Sequence, residues 1–301
     1  MEGTKIALLV IYNHRFDKNI SRVENLYKNR FSNIFHIMPF YDGDVENVIP
    51  VYESSYYFQG YVAQAYTHLK RKGFSHFFII ADDLILNPSV SESNIFEKMG
   101  IDSDSCWIGG DKIEFQNLEI EWSRLSEALT FSLKVSGVEV SNILPSKEVA
   151  VDKFKKFGLS TGKIAWSVLK KMPFRRYKQI AFKYNQLNCS LHDGFELNYP
   201  LVGAYSDSFL VTSSVMDKFC SYAGAFAALD LFVEIAVPTA LVLASDKLCF
   251  DKDVKMHQKT FWTEADVEKI ENKYSKKLDL LLSDFSEDCL FLHPIKLSKW
   301  E

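Results

Sequence analysis

Apolar and polar positions alternate in blocks along the first third of the chain. "KIALLVIY", residues 5–12, is a short continuous apolar run rich in β-branched residues, which predicts a buried strand. Residues 20–31 set Val23, Leu26, Tyr27 and Phe31 on one helical face. "NIFHIMPF", 33–40, predicts a second strand, closed by the turn-like "YDGD". In the stretch 54–73, Phe58, Val62, Ala65 and Leu69 recur at helical spacing. Lys70, Arg71 and Lys72 crowd the last turn, and Gly73 is placed as a C-terminal cap. "FSHFFIIADDLILNP", 74–88, predicts a third strand that ends abruptly in two adjacent carboxylates.

This β-α-β-α-β order predicts an α/β fold, a Rossmann-type, mostly parallel sheet flanked by helices. Ligands of such sheets collect at the carboxyl ends of the strands, where Asn13, Asp42, Asp82 and Asp83 all fall. Further on, "CWIGG", 106–110, predicts another short strand, and Trp122, Leu125, Leu129 and Leu133 mark a helix over 121–135. The pattern predicts a partly helical segment from 146 to 188, then a polar loop through "NQLNCSLHDGFELNYP", then a strand over 201–214. Residues 215–245 predict a long, unusually apolar helical region. Thr263 with Asp266 three residues on marks a capping box, and "DCLFLHPIKLSKW" a closing strand or extended segment. No internal repeat or linker interrupts the pattern, so 1–301 reads as a single domain with two halves, 1–112 and 113–301.

Composition narrows the class. The chain is 47% hydrophobic and 25% charged, ordinary values for a globular protein, with 24 Phe and 14 Tyr. No window reaches the roughly 18 apolar residues of a membrane span. The N-terminus lacks the marks of a secretory leader, and five scattered Cys never form CxxC, so a cytoplasmic setting is expected. The net charge of −4 hides an asymmetry: residues 146–188 hold eleven Lys/Arg against Glu148 and Asp152. Such a basic insertion, interleaved with aromatic residues, implies an anionic partner or a peripheral contact with the inner membrane face; a solvated helical face is the plain alternative.

The acidic pair carries the first chemical signal. Adjacent carboxylates repel, so ionising both is costly unless a cation sits beside them. Mg²⁺ or Mn²⁺ typically uses one or two carboxylates plus substrate phosphates. A second signal is Asp230 and Glu234, four apart and so on one face of the expected apolar helix. Burial raises a carboxylate's pKa, which suits a general base. "GLSTGK", 158–163, is not a phosphate loop: three residues rather than four separate its glycines, and Ile164 follows the lysine.

"FFIIADDLILNP" resembles the strand and acidic DxD-type motif of GT-A-fold glycosyltransferases, here written Asp82-Asp83-Leu84. "IALLVIYNHR" is similar to the first strand of that fold, and "FQGYVAQAYTHLKRKGFSHFFIIADD" to its helix–strand unit before the motif. The resemblance covers residues 5–90 best. It implies a nucleotide-sugar donor held by Tyr12, Asn13, Asp42, Gln59 and Asp82, and a divalent cation, Mn²⁺ or Mg²⁺, on Asp83. A late histidine, His293 or His257, would be a further ligand, although a lone histidine is more often a packed core residue. Asp230 or Glu234 would deprotonate a glycan or lipid-linked acceptor, contacted by His192, Asp193, Arg175 and Arg176. A bacterial surface glycan is the product class it suggests, by analogy alone. Two rivals stand beside it. One is a nucleotidyltransferase activating a sugar, for which "YNHRFDKN" lacks the usual Gly-rich loop. The other is a non-catalytic binder of anionic glycan or nucleic acid, of which nucleic acid is the less favoured partner.

Overall fold

The computed structural model describes residues 5–118, 122, 124–169, 188–190 and 194–301. The chain runs β1 (Ile6–Ile11), α1 (Ile20–Tyr27), β2 (Ile34–Pro39), β3 (Val48–Val51), α2 (Phe58–Leu69) and β4 (His76–Ala81), with β3 following β2 directly where the sequence pattern predicted no strand. After β4 come β5 (Ile85–Leu86), β6 (Cys106–Ile108), β7 (Asn188–Ser190), β8 (Gly194–Glu196), β9 (Ser208–Thr212), β10 (Leu248–Cys249), β11 (His257–Thr260) and β12 (Cys289–His293). Seven of them form one sheet in the order β10-β6-β9-β4-β1-β2-β3, so strands from both halves of the chain share it. All pairs are parallel except those of β9, which runs against β4 and β6. This mostly parallel sheet flanked by helices is the expected α/β class, a Rossmann-type arrangement.

The continuous apolar runs follow from burial on both faces. In β1, Ala7, Leu9 and Ile11 enter a core built with α2 and the helices Ser213–Ala228 and Val233–Ala244, while Ile6, Leu8 and Val10 enter a second core with α1 and the C-terminal segment. A small sheet, β11-β12-β5, covers that second side.

Several boundaries differ from the periodicity. The helix expected over 121–135 is described only as Leu125–Thr130. The strand expected over 201–214 is confined to β9, and the polar loop before it contains the β7–β8 hairpin. The long helical region is two helices, broken at 229–232. Asp230 stands there with φ +55, its N–H reaching the Ala227 carbonyl at 3.0 Å while the Leu231 N–H reaches Phe226 at 3.0 Å. This is the Schellman pattern, and aspartate is one of the few side chains that tolerates its left-handed position. The Thr263–Asp266 capping box forms as expected.

Candidate active site

The tip of β4 gathers its side chains through three registers. Parallel pairing brings the Asp82 N–H to the Ile11 carbonyl at 2.9 Å, so the acidic pair leaves the sheet beside Tyr12 and Asn13. Antiparallel pairing sets Ile80 against Ser208, and the next step joins the Ala81 N–H to the Asp207 carbonyl at 2.9 Å. Because β9 runs backwards, its start rather than its end meets the carboxyl edge, which delivers a third acid. In the small sheet Leu292 lies opposite Ile85, so His293 reaches the turn before β5. The Ile295 N–H donates to the Asp83 carbonyl at 2.6 Å and ties that segment down.

The result is a short chain of contacts. His293 Nε2 lies 3.0 Å from Asp83 Oδ1, and His293 Nδ1 hydrogen-bonds the Tyr205 hydroxyl. Asn19 donates to Asp82 Oδ2 at 3.1 Å. Burial, then the neighbouring Asp83 charge, pushes the Asp82 carboxyl up to about 7. Burial also raises Asp207. For His293, burial favours the neutral ring, but the Asp83 hydrogen bond and the charges of Asp207, Asp83 and Asp82 outweigh it and raise its pKa.

Two clefts flank this chain. One, of about 340 Å³, is lined by Asn13, His14, Asn19, Asp82, Asp83 and Lys296. The other, of about 520 Å³, is lined by Arg124, Tyr205, Phe232, Glu234, Gln258 and Trp262. Glu234 sits in the first turn of its helix, where an acid suits the dipole. Burial, then the Asp207 charge, pushes its carboxyl up to about 7 against the pull of Arg124.

The residues expected at the site are distributed unevenly. Asn13, Asp82, Asp83 and His293 come together. Tyr12 stands next to them but is fully buried, its hydroxyl 2.8 Å from His36 Nδ1, so its ring has no surface to offer a ligand. Gln59 is likewise fully buried and donates to the Leu231 carbonyl at 2.8 Å; it is a core residue, not a lining one. Asp42 is exposed and ion-paired with Arg15. Asp230 and Glu234 do not share a helical face: the helix stop between them turns Asp230 toward a separate polar hollow with Glu127 and Asn198. His257 pairs with Asp251 at 3.4 Å and stands opposite Cys289, at the far end of β12 from His293.

Arg175, Arg176, His192 and Asp193 lie outside the described residues, as does most of the basic block. Within its described part, Lys147 pairs with Glu196 at 2.7 Å and Lys153 with Asp246 at 2.8 Å. No described helix is long and apolar enough to cross a membrane. Among the described residues, no group of three or more His, Cys, Asp or Glu side chains is placed to hold a metal ion.

Sequence reasoning missed Asp207, Tyr205 and Trp262. Asp207 carried a signal, an acid directly before the apolar run "SFLV", hidden by reading 201–214 as one strand.

The sequence matches no protein-family model and no curated protein. Among solved structures the chain is similar to the mannosyltransferase Ktr4p from S. cerevisiae. In complex with GDP that structure gives 10% identity and a TM-score of 0.33 over 84% of this chain and 70% of that one. A second structure of that mannosyltransferase gives 12% identity and a TM-score of 0.34 over the same shares. Overlap at that level carries no argument about activity.

Proposed function

We propose that the protein is a glycosyltransferase that moves a sugar from a nucleotide-sugar to a hydroxyl acceptor. The observation that carries this reading is the Asp83–His293–Tyr205 chain, which stands between a carboxylate-lined cleft and a cavity lined by the half-buried Glu234. The donor diphosphate occupies the first cleft, with Asn13 and Lys296 in reach of its oxygens. Asp83 would hold a divalent cation there, and His293 would join it only by giving up its hydrogen bond to Asp83. A single carboxylate fits, because Mg²⁺ is bound through one or two carboxylates plus substrate phosphates. The crowding of Asp82, Asp83 and Asp207 also supplies negative charge that a cation relieves. When bound, the cation supplies Lewis-acid stabilisation of the departing diphosphate.

Glu234 is the base of this reading. Near neutral pH it is poised between its two forms, as a general base requires. It takes the proton of the acceptor hydroxyl, whose oxygen bonds to the anomeric carbon as the bond to the diphosphate breaks. Asp230 is not given this role, since it caps a helix outside the cavity.

Thermal denaturation with a panel of nucleotides and nucleotide-sugars, with and without Mn²⁺, tests the reading. One donor class should stabilise the protein only when the metal is present. Stabilisation that Asp83→Ala leaves intact, or none by any donor, would turn the protein into a binding module.

A further inference from the structure

The cavity that holds Glu234 has a chemistry of its own. At about 520 Å³ it falls within the ~300–1,000 Å³ of small-molecule sites. Its walls are aromatic. Tyr205 and Trp262 meet edge to face at 5.4 Å, and Trp122, stacked on Phe115 at 5.6 Å, closes another side. Trp262 is 72% exposed, an unusual cost for the largest apolar side chain unless its free face is used. Polar groups are few, and Gln258 Oε1 is buried with no hydrogen-bond partner among the described residues.

The charges of the lining discriminate. Arg124 is its one cation among the described residues, and it is already engaged. Its guanidinium lies 3.6 Å from the centre of the Phe232 ring, and Nη1 contacts Glu127 at 2.8 Å. Asp111 and Glu234 supply negative charge. Among the described residues an anionic ligand would meet two acids and no free cation, whereas an uncharged ring with an apolar face and several hydroxyls would find aromatic walls and oxygen acceptors.

We propose that this cavity binds an uncharged sugar ring, its C–H face laid on Trp262 and a hydroxyl donated to Gln258. The inference rests on the transferase reading only in taking that sugar to be the acceptor. It replaces the anionic acceptor expected from the basic block with a neutral one at this position.

The test uses saturation-transfer NMR and calorimetry on the full chain. Probes are mannobiose, cellobiose and lactose, set against digalacturonate, with no nucleotide present. At least one neutral disaccharide should bind, with transfer to its ring protons. Trp262→Ala should weaken it about tenfold, the scale of one aromatic contact, and Trp262→Phe should restore most of the loss. Digalacturonate should bind less well. The proposal falls if no neutral disaccharide binds, if a folded Trp262→Ala binds like wild type, or if digalacturonate binds equally well. Should Trp262→Ala fail to fold, Gln258→Leu serves in its place, and unchanged binding in that variant overturns the proposal too. Sugar binding without any metal-dependent donor binding would keep this site and remove the transferase reading. Donor binding without sugar binding would do the reverse.

Discussion

The two clefts hold acids whose pKa values are pushed to the same place by the same causes, burial first and a neighbouring carboxylate second, but in different company. At the tip of β4, Asp82 is raised by burial and by the adjoining Asp83 carboxylate, with Asp207 close by. Across the Asp83–His293–Tyr205 chain, Glu234 is raised by burial and then by the Asp207 charge, but it stands among aromatic rings with Arg124 pulling the other way. Adjoining carboxylates are relieved by a cation; one set in an aromatic cavity is relieved by a proton. A like shift therefore points to two different tasks, and the partners of each acid, not its pKa, tell them apart.

The sharpest way to break this comparison is Glu234→Gln. Transfer should fall by about 10²–10⁴-fold, the usual weight of a general base, while metal-dependent donor binding stays as in wild type. Kinetics and thermal shift on the same preparation check both halves. Asp83→Ala should do the opposite to binding. With donor at a hundred times its Kd, the stabilisation of about 2.7 kcal/mol that mass action predicts should vanish in denaturation curves with Mn²⁺.

A pH series sharpens the contrast. Transfer should rise with pH and level off above about 7, because only ionised Glu234 accepts a proton. Its folded pKa lies above the ordinary 4.5, so the native protein holds a proton that the unfolded chain has released. Stability should therefore fall as pH climbs from 4.5 to about 7, and Glu234→Gln should flatten that part of the curve. The smallest effect is expected at Asp230. Asp230→Val should cost about 1–2 kcal/mol, since a β-branched residue is forced into the left-handed region, while Asp230→Gly should hold or gain stability. Neither should alter donor binding in the thermal assay.

Among the early elements β1, α1, β2, α2 and β4 were legible and β3 was not; burial on both faces writes a strand as an uninterrupted apolar run, and β1 and β4 are such runs. The Asp82–Asp83 tip was legible for the same reason, as a sudden charge at the end of a buried strand. What misled was periodicity where a stop was needed. In "AALDLFVE" every residue but the two acids is apolar, and nothing in the spacing marks Asp230 as a left-handed cap. Gln59 and Tyr12 were misplaced because chain position near a site does not say which way a side chain points; both turn into the core. Tyr205 carried no signal, and that of Asp207 did not place it at the site, because their arrival depends on β9 running backwards, a property of topology that local pattern does not carry.

The Asp83–His293 contact joins partners 210 residues apart in the chain, and His293 comes from the small sheet rather than the large one. That small sheet is held at β5 by a strand of two residues. If it loosens while the seven-stranded sheet stays shut, Asp83, the proposed cation ligand, loses its His293 partner although almost every backbone amide remains protected from exchange. Inactivation by mild heat or denaturant would then run ahead of unfolding, and hydrogen exchange confined to 85–86 and 289–293 would be its earliest trace.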